Sequence, residues 1–218
     1  TCLAVNNLPQ TKFPEMTQTR QAKVKAALSP STVLLDDGRI IALSGLNIPD
    51  SYGQNISDLA VMAKNILDEI YAGVRINIYQ TRDEKSGRSN RMGEGLAHIE
   101  TVDGQIWAQG ALLRLGLARV MTTSSNPDMV KEMREQESLA RLEGLGIWAQ
   151  DSAYRILTPD EAAQAIGTIA IVEGRLESVA MNKNRVYLNF GKNWKDDFTV
   201  SIAPEFNKLF SKIGRAHV

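Results

Sequence analysis

The stretch that decides the fold is GLNIPD at residues 45–50, taken together with three motifs that follow it. The first of these is GEGLAHI at residues 93–99, and the second is LLRLGLARV at residues 112–120. A charged segment that ends in GLGIW at residues 144–148 closes the series. Each motif alone is short, so the information lies in their order and spacing.

Hydrophobic periodicity predicts strands and helices around these motifs. Alternating apolar residues indicate strands, and apolar residues spaced by three and four indicate helices. The D-D-G at 36–38 favours a hairpin turn, and Gly73 is placed to end a helix with a left-handed residue. The predicted strands cover 23–28, 32–36, 39–46, 74–79 and 95–101, and the predicted helices cover 56–72, 107–116 and 127–143.

The order and spacing of the motifs resemble the staphylococcal nuclease (thermonuclease-like) family across roughly residues 22–150. The resemblance implies a mainly β, α+β fold in which helices flank a five-stranded OB barrel. Residues 1–20 are polar and show no sustained period. We therefore expect them to form a disordered or extended lead-in.

A smaller β-rich unit is predicted after a linker and short helix at residues 151–167, where Thr158 and Pro159 are typical of a helix start. The unit covers 168–218 and is similar to the OB-like extension that follows nuclease-like domains in some bacterial proteins. Its predicted strands are 168–180, 184–190 and 197–202, followed by a helix at 204–213. Because three strands and a helix cannot close a barrel, we expect an incomplete unit that is truncated or is completed by a partner.

The resemblance implies calcium-assisted phosphodiester cleavage, in which carboxylates hold the metal and two arginines neutralise the charge that develops on the phosphate. With Pro49 as the anchor, the metal-binding positions fall at Ser31 and Asn47. The acidic position beside the attacking water falls at Asp50. Serine and asparagine oxygens can contact calcium, but they remove two negative charges from the site. The sequence thus predicts a degenerate calcium site.

The two arginine positions also differ from the family pattern. Ala42 occupies the first. For the second, a gap-free register places Glu94 there, and an alternative register retains Arg88 at the cost of an insertion before Leu96. A carboxylate at this position would repel phosphate. We therefore expect that phosphodiesterase activity has been lost and that no cofactor is needed.

Three functions follow from these residues. The favoured one is a non-catalytic nuclease-like protein that acts as a binding or scaffold module, docking on a larger protein assembly. The second is a calcium-dependent nuclease with a rearranged site, in which Asp50 and Arg88 are catalytic and calcium is the cofactor. The third is nucleic-acid binding without cleavage.

The third function depends on cations that alternate with aromatic rings in residues 183–195. Such a pattern is typical of single-stranded nucleic-acid platforms, because bases stack on rings while cations hold phosphates. The candidate residues are Lys183, Arg185, Tyr187, Lys192 and Trp194. Alternation along the predicted strand turns Val186, Leu188 and Phe190 inward and Arg185, Tyr187 and Asn189 outward.

Composition adds few constraints. The 218 residues carry 25 Lys and Arg against 25 Asp and Glu, so no net field attracts nucleic acid or an anionic membrane. The single cysteine excludes an internal disulfide. No apolar run reaches the ~18 residues that predict a transmembrane helix. The chain starts without methionine, so we expect either a processed protein or a fragment. Of these, a processed or exported protein, periplasmic or membrane-associated, is favoured.

Overall fold

The computed structural model describes residues 8–51, 56–168, 170–193 and 197–210. The chain divides into two compact units, Thr1–Ala153 and Tyr154–Val218. In the described residues, no helix is both long and apolar enough to cross a membrane.

Strands dominate the first unit, with helices between and after them. The strands are β1 (Met16–Ser29), β2 (Thr32–Leu35), β3 (Ile40–Leu43), β4 (Leu46–Asn47), β5 (Arg75–Thr81), β6 (Gly95–Thr101) and β7 (Arg119–Val120). The α-helices are α1 (Asp58–Tyr71), α2 (Ala108–Arg114) and α3 (Val130–Leu142), and a short 3₁₀ helix follows at Gly146–Trp148.

Five of these strands close a barrel in the order β1-β2-β3-β6-β5. The β3–β6 pair is parallel, with Ile41 opposite Gly95, and the other pairs are antiparallel. Alternate residues of each strand point inward and fill the barrel; Val33, Leu35, Ile76 and Ile99 are fully buried. The predicted OB-like barrel with flanking helices is confirmed.

The first strand begins at Met16, seven residues before the predicted start at Lys23, and Met16 pairs with Thr81 on β5. Residues 16–20, predicted to belong to the lead-in, are therefore part of the barrel. The prediction was wrong because this end of β1 is polar and lacks an apolar alternation. Its backbone hydrogen bonds to β5 hold it in the sheet, and these leave no trace in composition.

Helix α1 begins after a capping serine and ends before Gly73, the residue predicted to stop it. The Ser57 side chain accepts a hydrogen bond from the Ala60 amide at 3.1 Å, which satisfies one free donor at the start of α1. Gly73 follows α1 with a φ of 79°. Helix α2 is buried on all sides except at Arg114, so it forms part of the core.

Two glycines allow the end of α2 to touch the segment after α3. A Cβ on Gly116 would lie 2.1 Å from the Leu145 carbonyl oxygen, and a Cβ on Gly146 would lie 2.2 Å from the Gly116 carbonyl oxygen. The Ile147 amide donates to the Gly116 carbonyl at 2.9 Å across this contact. Both glycines have positive φ, 68° and 55°. The contact joins the third and fourth sequence motifs.

The second unit contains a three-stranded antiparallel sheet with the order β10-β9-β8. The strands are β8 (Ser178–Asn182), β9 (Arg185–Asn189) and β10 (Thr199–Ile202), and 3₁₀ helices cover Pro159–Ala165 and Pro204–Phe210. At the first helix, the Glu161 carboxylate accepts from the Thr158 amide at 3.0 Å. The Arg155 guanidinium is the main reason that the pKa of Glu161 falls to about 2.

The predicted strand at 168–180 is wrong for residues 168 and 170–177, and residue 169 lies outside the described residues. The Leu157 amide donates to the Ile171 carbonyl, and the Glu173 amide donates to the Leu157 carbonyl. Gly174 lies so close to the 3₁₀ helix that a Cβ there would be 2.3 Å from Pro159 Cγ. The apolar residues of this segment therefore pack beside the start of the unit, and only Ser178–Asn182 joins the sheet.

Candidate functional site

The positions that the resemblance assigns to chemistry lie on neighbouring strands of the barrel. Thr32 on β2 pairs with Ala42 on β3, and Ala42 pairs in turn with Leu96 on β6. The Leu43 amide donates to the Ser31 carbonyl at 2.8 Å, so Ser31 lies at the β2 end of the same row. The barrel thus brings Ser31, Ala42 and the start of β6 together.

Asn47 and Asp50 follow on the segment that leaves the barrel. Asn47 lies opposite Arg119 in the short β4–β7 pair, and its side-chain oxygen is buried without a hydrogen-bond partner among the described residues. Asp50 is exposed and adopts a left-handed backbone with φ 46°. Its carbonyl accepts from the Ser57 amide at 3.1 Å, which connects this turn to the start of α1.

These residues are a poor set of calcium ligands. Calcium takes six to eight oxygen ligands, and carboxylate charge sets its affinity. Ser31 and Asn47 supply neutral oxygens, which leaves Asp50 as the one carboxylate of the three predicted positions. Within the described ranges, no group of three or more His, Cys, Asp or Glu side chains could hold a metal ion. The donor set therefore does not fit the calcium site that the resemblance implies.

Glu94 is held immediately before β6, where Gly95 pairs with Ile41. Its carboxylate accepts from Asn90 Nδ2 at 2.6 Å, and the Glu94 amide donates to Asn90 Oδ1 at 3.1 Å. The Asn90 amide also donates to the Glu94 carbonyl at 3.0 Å. A tight loop at residues 90–94 thus fixes a negative charge at the start of β6, directly beside the row that contains Ala42.

Arg88 lies in the same hairpin, because its carbonyl accepts from the Leu96 amide at 3.0 Å. Its side chain turns back toward the preceding loop. Arg88 Nε donates to the Thr81 carbonyl at 2.8 Å, and one terminal nitrogen pairs with the Glu84 carboxylate at 3.2 Å. The backbone of Arg88 is therefore close to the start of β6, while its guanidinium is held by the 81–84 segment.

A cavity of about 500 Å³ opens beside this hairpin, and we call it the arginine cavity. Neither Ser31, Asn47 nor Asp50 is among the described residues that line it. Three arginines and one carboxylate contribute the charged groups of its wall: Arg20, Arg39, Arg88 and Glu94. The remaining lining residues are Thr19, Gly38, Ile40, Ile41, Ile78, Gln80, Met92, Gly93 and Gly95.

The sequence did not indicate Arg20, Arg39 or Gln80 as site residues. Arg20 and Gln80 lie on β1 and β5, and Arg39 lies just before β3, so their proximity follows from the strand register rather than from a motif. Arg39 donates to Asp37 from Nε at 2.9 Å, and this hydrogen bond is the main reason that the pKa of Asp37 is lowered. Arg20 also approaches Asp37, at 3.7 Å. Two guanidinium groups thus share one carboxylate.

His98 lies on the outer wall of the barrel and is fully buried. Its Nδ1 accepts from Trp107 Nε1 at 3.2 Å, and burial lowers the pKa of His98 to about 3. Phe13 from the N-terminal segment stacks on Tyr79 with ring centroids 4.0 Å apart and meets Trp107 edge-on. The imidazole is therefore neutral and acts as a packing element beneath this aromatic cover.

The predicted nucleic-acid residues lie on the β8–β9 hairpin of the second unit. Lys183 is exposed in the turn, with φ 47°, and Arg185 and Tyr187 are half-buried on one face of β9. Lys192 is exposed after the strand, and Trp194 lies outside the described residues. The structure thus brings Arg185 and Tyr187 together, with Lys183 at the adjoining turn.

Asn189 was predicted to face outward, and this prediction is wrong. Its side chain is buried, because its amide donates to Ser178 Oγ at 3.1 Å and its carbonyl accepts from Thr199 Oγ1 at 3.1 Å. These two bonds join the central strand to both neighbours. Alternation along the strand could not show that cross-strand partners cover its end.

Comparison with known families agrees with the barrel, its helices and the four motifs. The family model described as Staphylococcal nuclease homologue matches residues 39–150, just over half of the 218 residues. A search of curated proteins returns no match. The match spans β3 to the Gly146–Trp148 turn and includes Ala42, Asn47, Asp50 and Glu94. The chain therefore belongs to the staphylococcal nuclease homologue family.

Proposed function

We propose that this family member no longer hydrolyses phosphodiesters and acts instead as a binding or scaffold module. The observation that carries the proposal is the strand register at the start of β6. Gly95 pairs with Ile41, and Leu96 pairs with Ala42, so Glu94 lies at the start of β6, next to the row that contains Ala42. The proposal adopts the gap-free assignment, in which Ala42 and Glu94 replace the two arginines.

The loss of two charges that stabilise a transition state would have a large effect. Removal of one such preorganised donor costs about 10²–10³ in turnover, or roughly 3–4 kcal/mol. Glu94 adds repulsion to this loss. Two like charges about 4 Å apart interact by ~4 kcal/mol at an effective dielectric constant of ~20. Together with the neutral oxygens of Ser31 and Asn47, these changes favour binding without cleavage.

A nuclease assay on the purified chain tests the proposal. Single-stranded DNA, double-stranded DNA and RNA would be incubated with the protein and calcium, beside an active member of the family as positive control. We expect the wild-type chain and its Asp50→Ala variant to give the same background. Thermal melting of both proteins would show that each is folded.

A different outcome would favour the rearranged calcium nuclease. In that case cleavage would require calcium, and both Asp50→Ala and Arg88→Gln would abolish it. Arg75→Gln is a matched control for Arg88→Gln, since Arg75 is exposed at the first position of β5. Such a result would refute the proposal that catalysis has been lost.

A second candidate function is nucleic-acid binding at the β8–β9 hairpin. It is favoured by the placement of Arg185 and Tyr187 on one strand face, beside the exposed Lys183. Binding through phosphates should weaken steeply with salt, because the contacts release counterions. We expect the triple change of Lys183, Arg185 and Lys192 to Glu to abolish it. The same change at the exposed Lys12, Lys131 and Arg134 is the matched control.

A further inference from the structure

We propose that the arginine cavity binds a small organic anion, in which a carboxylate or phosphate group is carried on a short apolar body. The volume of about 500 Å³ lies within the range of small-molecule sites. It is larger than an inorganic anion needs. The proposal goes beyond the loss of cleavage, and it shares with the proposed function only the premise that the protein binds ligands.

The charge of the wall favours an anion. Three arginines, Arg20, Arg39 and Arg88, line the cavity together with one acidic residue, Glu94. Arginine presents planar donors that match carboxylate and phosphate oxygens. The Arg20 guanidinium has Asp37 as its partner at 3.7 Å, beyond hydrogen-bond length, so its donors can turn toward a ligand.

The acids that already accompany these arginines are exposed. The Glu84 side chain is 80% exposed beside Arg88, and the Asp37 side chain is 43% exposed beside Arg39. Ion pairs in such positions contribute only about 0–1 kcal/mol, because water and salt screen them. Because these surface pairs are weak, the exchange of a surface partner for a ligand costs little. Arg88 has the least exposed of the three arginine side chains, at 21%.

The floor of the cavity is apolar. Ile41 and Ile78 are core residues that are 4% and 2% exposed, and the half-buried Ile40 lies beside them. Charged groups at the wall and branched aliphatic groups at the floor match a ligand with one anionic end and one apolar end. Each methylene group buried against such a floor contributes about 0.8 kcal/mol.

Hydrogen bonds keep the wall in place before a ligand binds. Gln80 Nε2 donates to the carbonyls of Arg88 at 2.8 Å and Leu96 at 3.0 Å. Its side-chain oxygen accepts from Thr19 Oγ1 at 3.1 Å. A single glutamine thus connects β1, β5, β6 and the 88–95 hairpin. A preformed site loses less entropy on binding.

The Glu94 carboxylate opposes anion binding, so its removal gives a specific test of the proposal. It is the only carboxylate among the described residues of the wall, and it repels an anion in the same cavity. Glu94→Gln should therefore tighten anion binding, whereas Arg20→Gln should weaken it. A site for cations would give the opposite result, with weaker binding by Glu94→Gln and tighter binding by Arg20→Gln. A non-specific effect would not distinguish the two variants.

The test is a titration of the full chain, followed by the amide signals of Arg39, Gln80 and Gly95 in NMR spectra at low ionic strength. The probes are acetate, hexanoate and hexyl phosphate. The difference in affinity between acetate and hexanoate measures the contribution of the apolar floor. The difference between hexanoate and hexyl phosphate shows whether the cavity prefers a carboxylate or a phosphate group. Variants are Arg20→Gln, Glu94→Gln and the control Arg75→Gln, each with a melting curve.

We expect saturable shifts with hexanoate or hexyl phosphate, at least about tenfold tighter than with acetate. Arg20→Gln should weaken binding about tenfold, Glu94→Gln should tighten it several-fold, and Arg75→Gln should leave it unchanged. Equal binding of acetate and hexanoate, no saturation, or weaker binding by Glu94→Gln would overturn the proposal. None of these results depends on nuclease turnover, so its failure is distinguishable from that of the proposed function.

Discussion

The contact between Gly116 and Gly146 allows a stability prediction with an internal control. Gly116→Ala places a Cβ 2.1 Å from the Leu145 carbonyl oxygen at a φ of 68°. Gly104 has nearly the same φ, 71°, but a Cβ there would meet no atom within 4 Å. The two alanine variants share the cost of a left-handed alanine, and only Gly116→Ala adds a steric clash.

The magnitudes follow from these two terms. A left-handed alanine costs ~1–2 kcal/mol, and the reduced freedom of the unfolded chain returns about 0.4–1 kcal/mol. Gly104→Ala should therefore lower the free energy of unfolding by roughly 1 kcal/mol. A Cβ at Gly116 would meet the backbone of Leu145 and Gly146, so relaxation must move the end of α2 or this segment and adds ~1–3 kcal/mol. Gly116→Ala should cost about 2–4 kcal/mol in total.

Thermal unfolding followed by near-ultraviolet circular dichroism would measure the difference. With ~2–4 °C per kcal/mol for a chain of this size, Gly104→Ala should lower Tm by a few degrees and Gly116→Ala by roughly 10 °C. Equal Tm values for the two variants would refute the reasoning. Equal values would mean that the backbone at the junction of α2 with the segment after α3 can shift without a loss in the free energy of unfolding.

Three further predictions concern buried polar groups. Because burial lowers the pKa of His98 to about 3, the unfolded chain binds one more proton than the folded chain between pH 3 and 6.5. The free energy of unfolding should therefore fall by on the order of 4–5 kcal/mol as the pH decreases through this window. His98→Asn should reduce this dependence of the unfolding midpoint on pH, and an unchanged dependence would contradict the role given to His98. Trp107→Phe removes the donor to His98 Nδ1 and should cost ~1–3 kcal/mol in urea unfolding, with a loss near zero counting against this bond. Asn189→Ala should speed amide hydrogen exchange in all three strands of the second unit, because Asn189 joins Ser178 and Thr199; a change confined to β9 would show that these bonds do not hold the sheet together.

Local patterns predicted the barrel because its strands and turns carry their own signals. The alternation of Val74–Tyr79, the helical spacing of 56–72 and the D-D-G turn each depend on neighbours in sequence, and β5, α1 and the β2–β3 turn match them. The polar start of β1 carried no such signal, since only its pairing with β5 makes it a strand. The apolar segment around Ile171 and Val172 gave a false one, because its hydrogen-bonding partner is Leu157 rather than a strand of the sheet.

The candidate site was less predictable for a related reason. Motif spacing singled out Ala42 and Glu94, because each lies within a short stretch that resembles the family. Arg20 and Arg39 could not be singled out from the sequence, because the strand register decides which side chains line one cavity. The side-chain direction of Arg88 was likewise decided by two hydrogen bonds to the 81–84 segment.

The position of β1 in the barrel has a practical consequence for recombinant work. The family match starts at residue 39, whereas β1 and β2 occupy Met16–Ser29 and Thr32–Leu35. A fragment cloned to the match boundaries would lack two of the five barrel strands. Strands β3 and β5 would then have unpaired edges with which strands of other molecules could pair. Such a fragment would collect in inclusion bodies, and a soluble product requires a start ahead of Pro9, whose carbonyl accepts from the Trp107 amide.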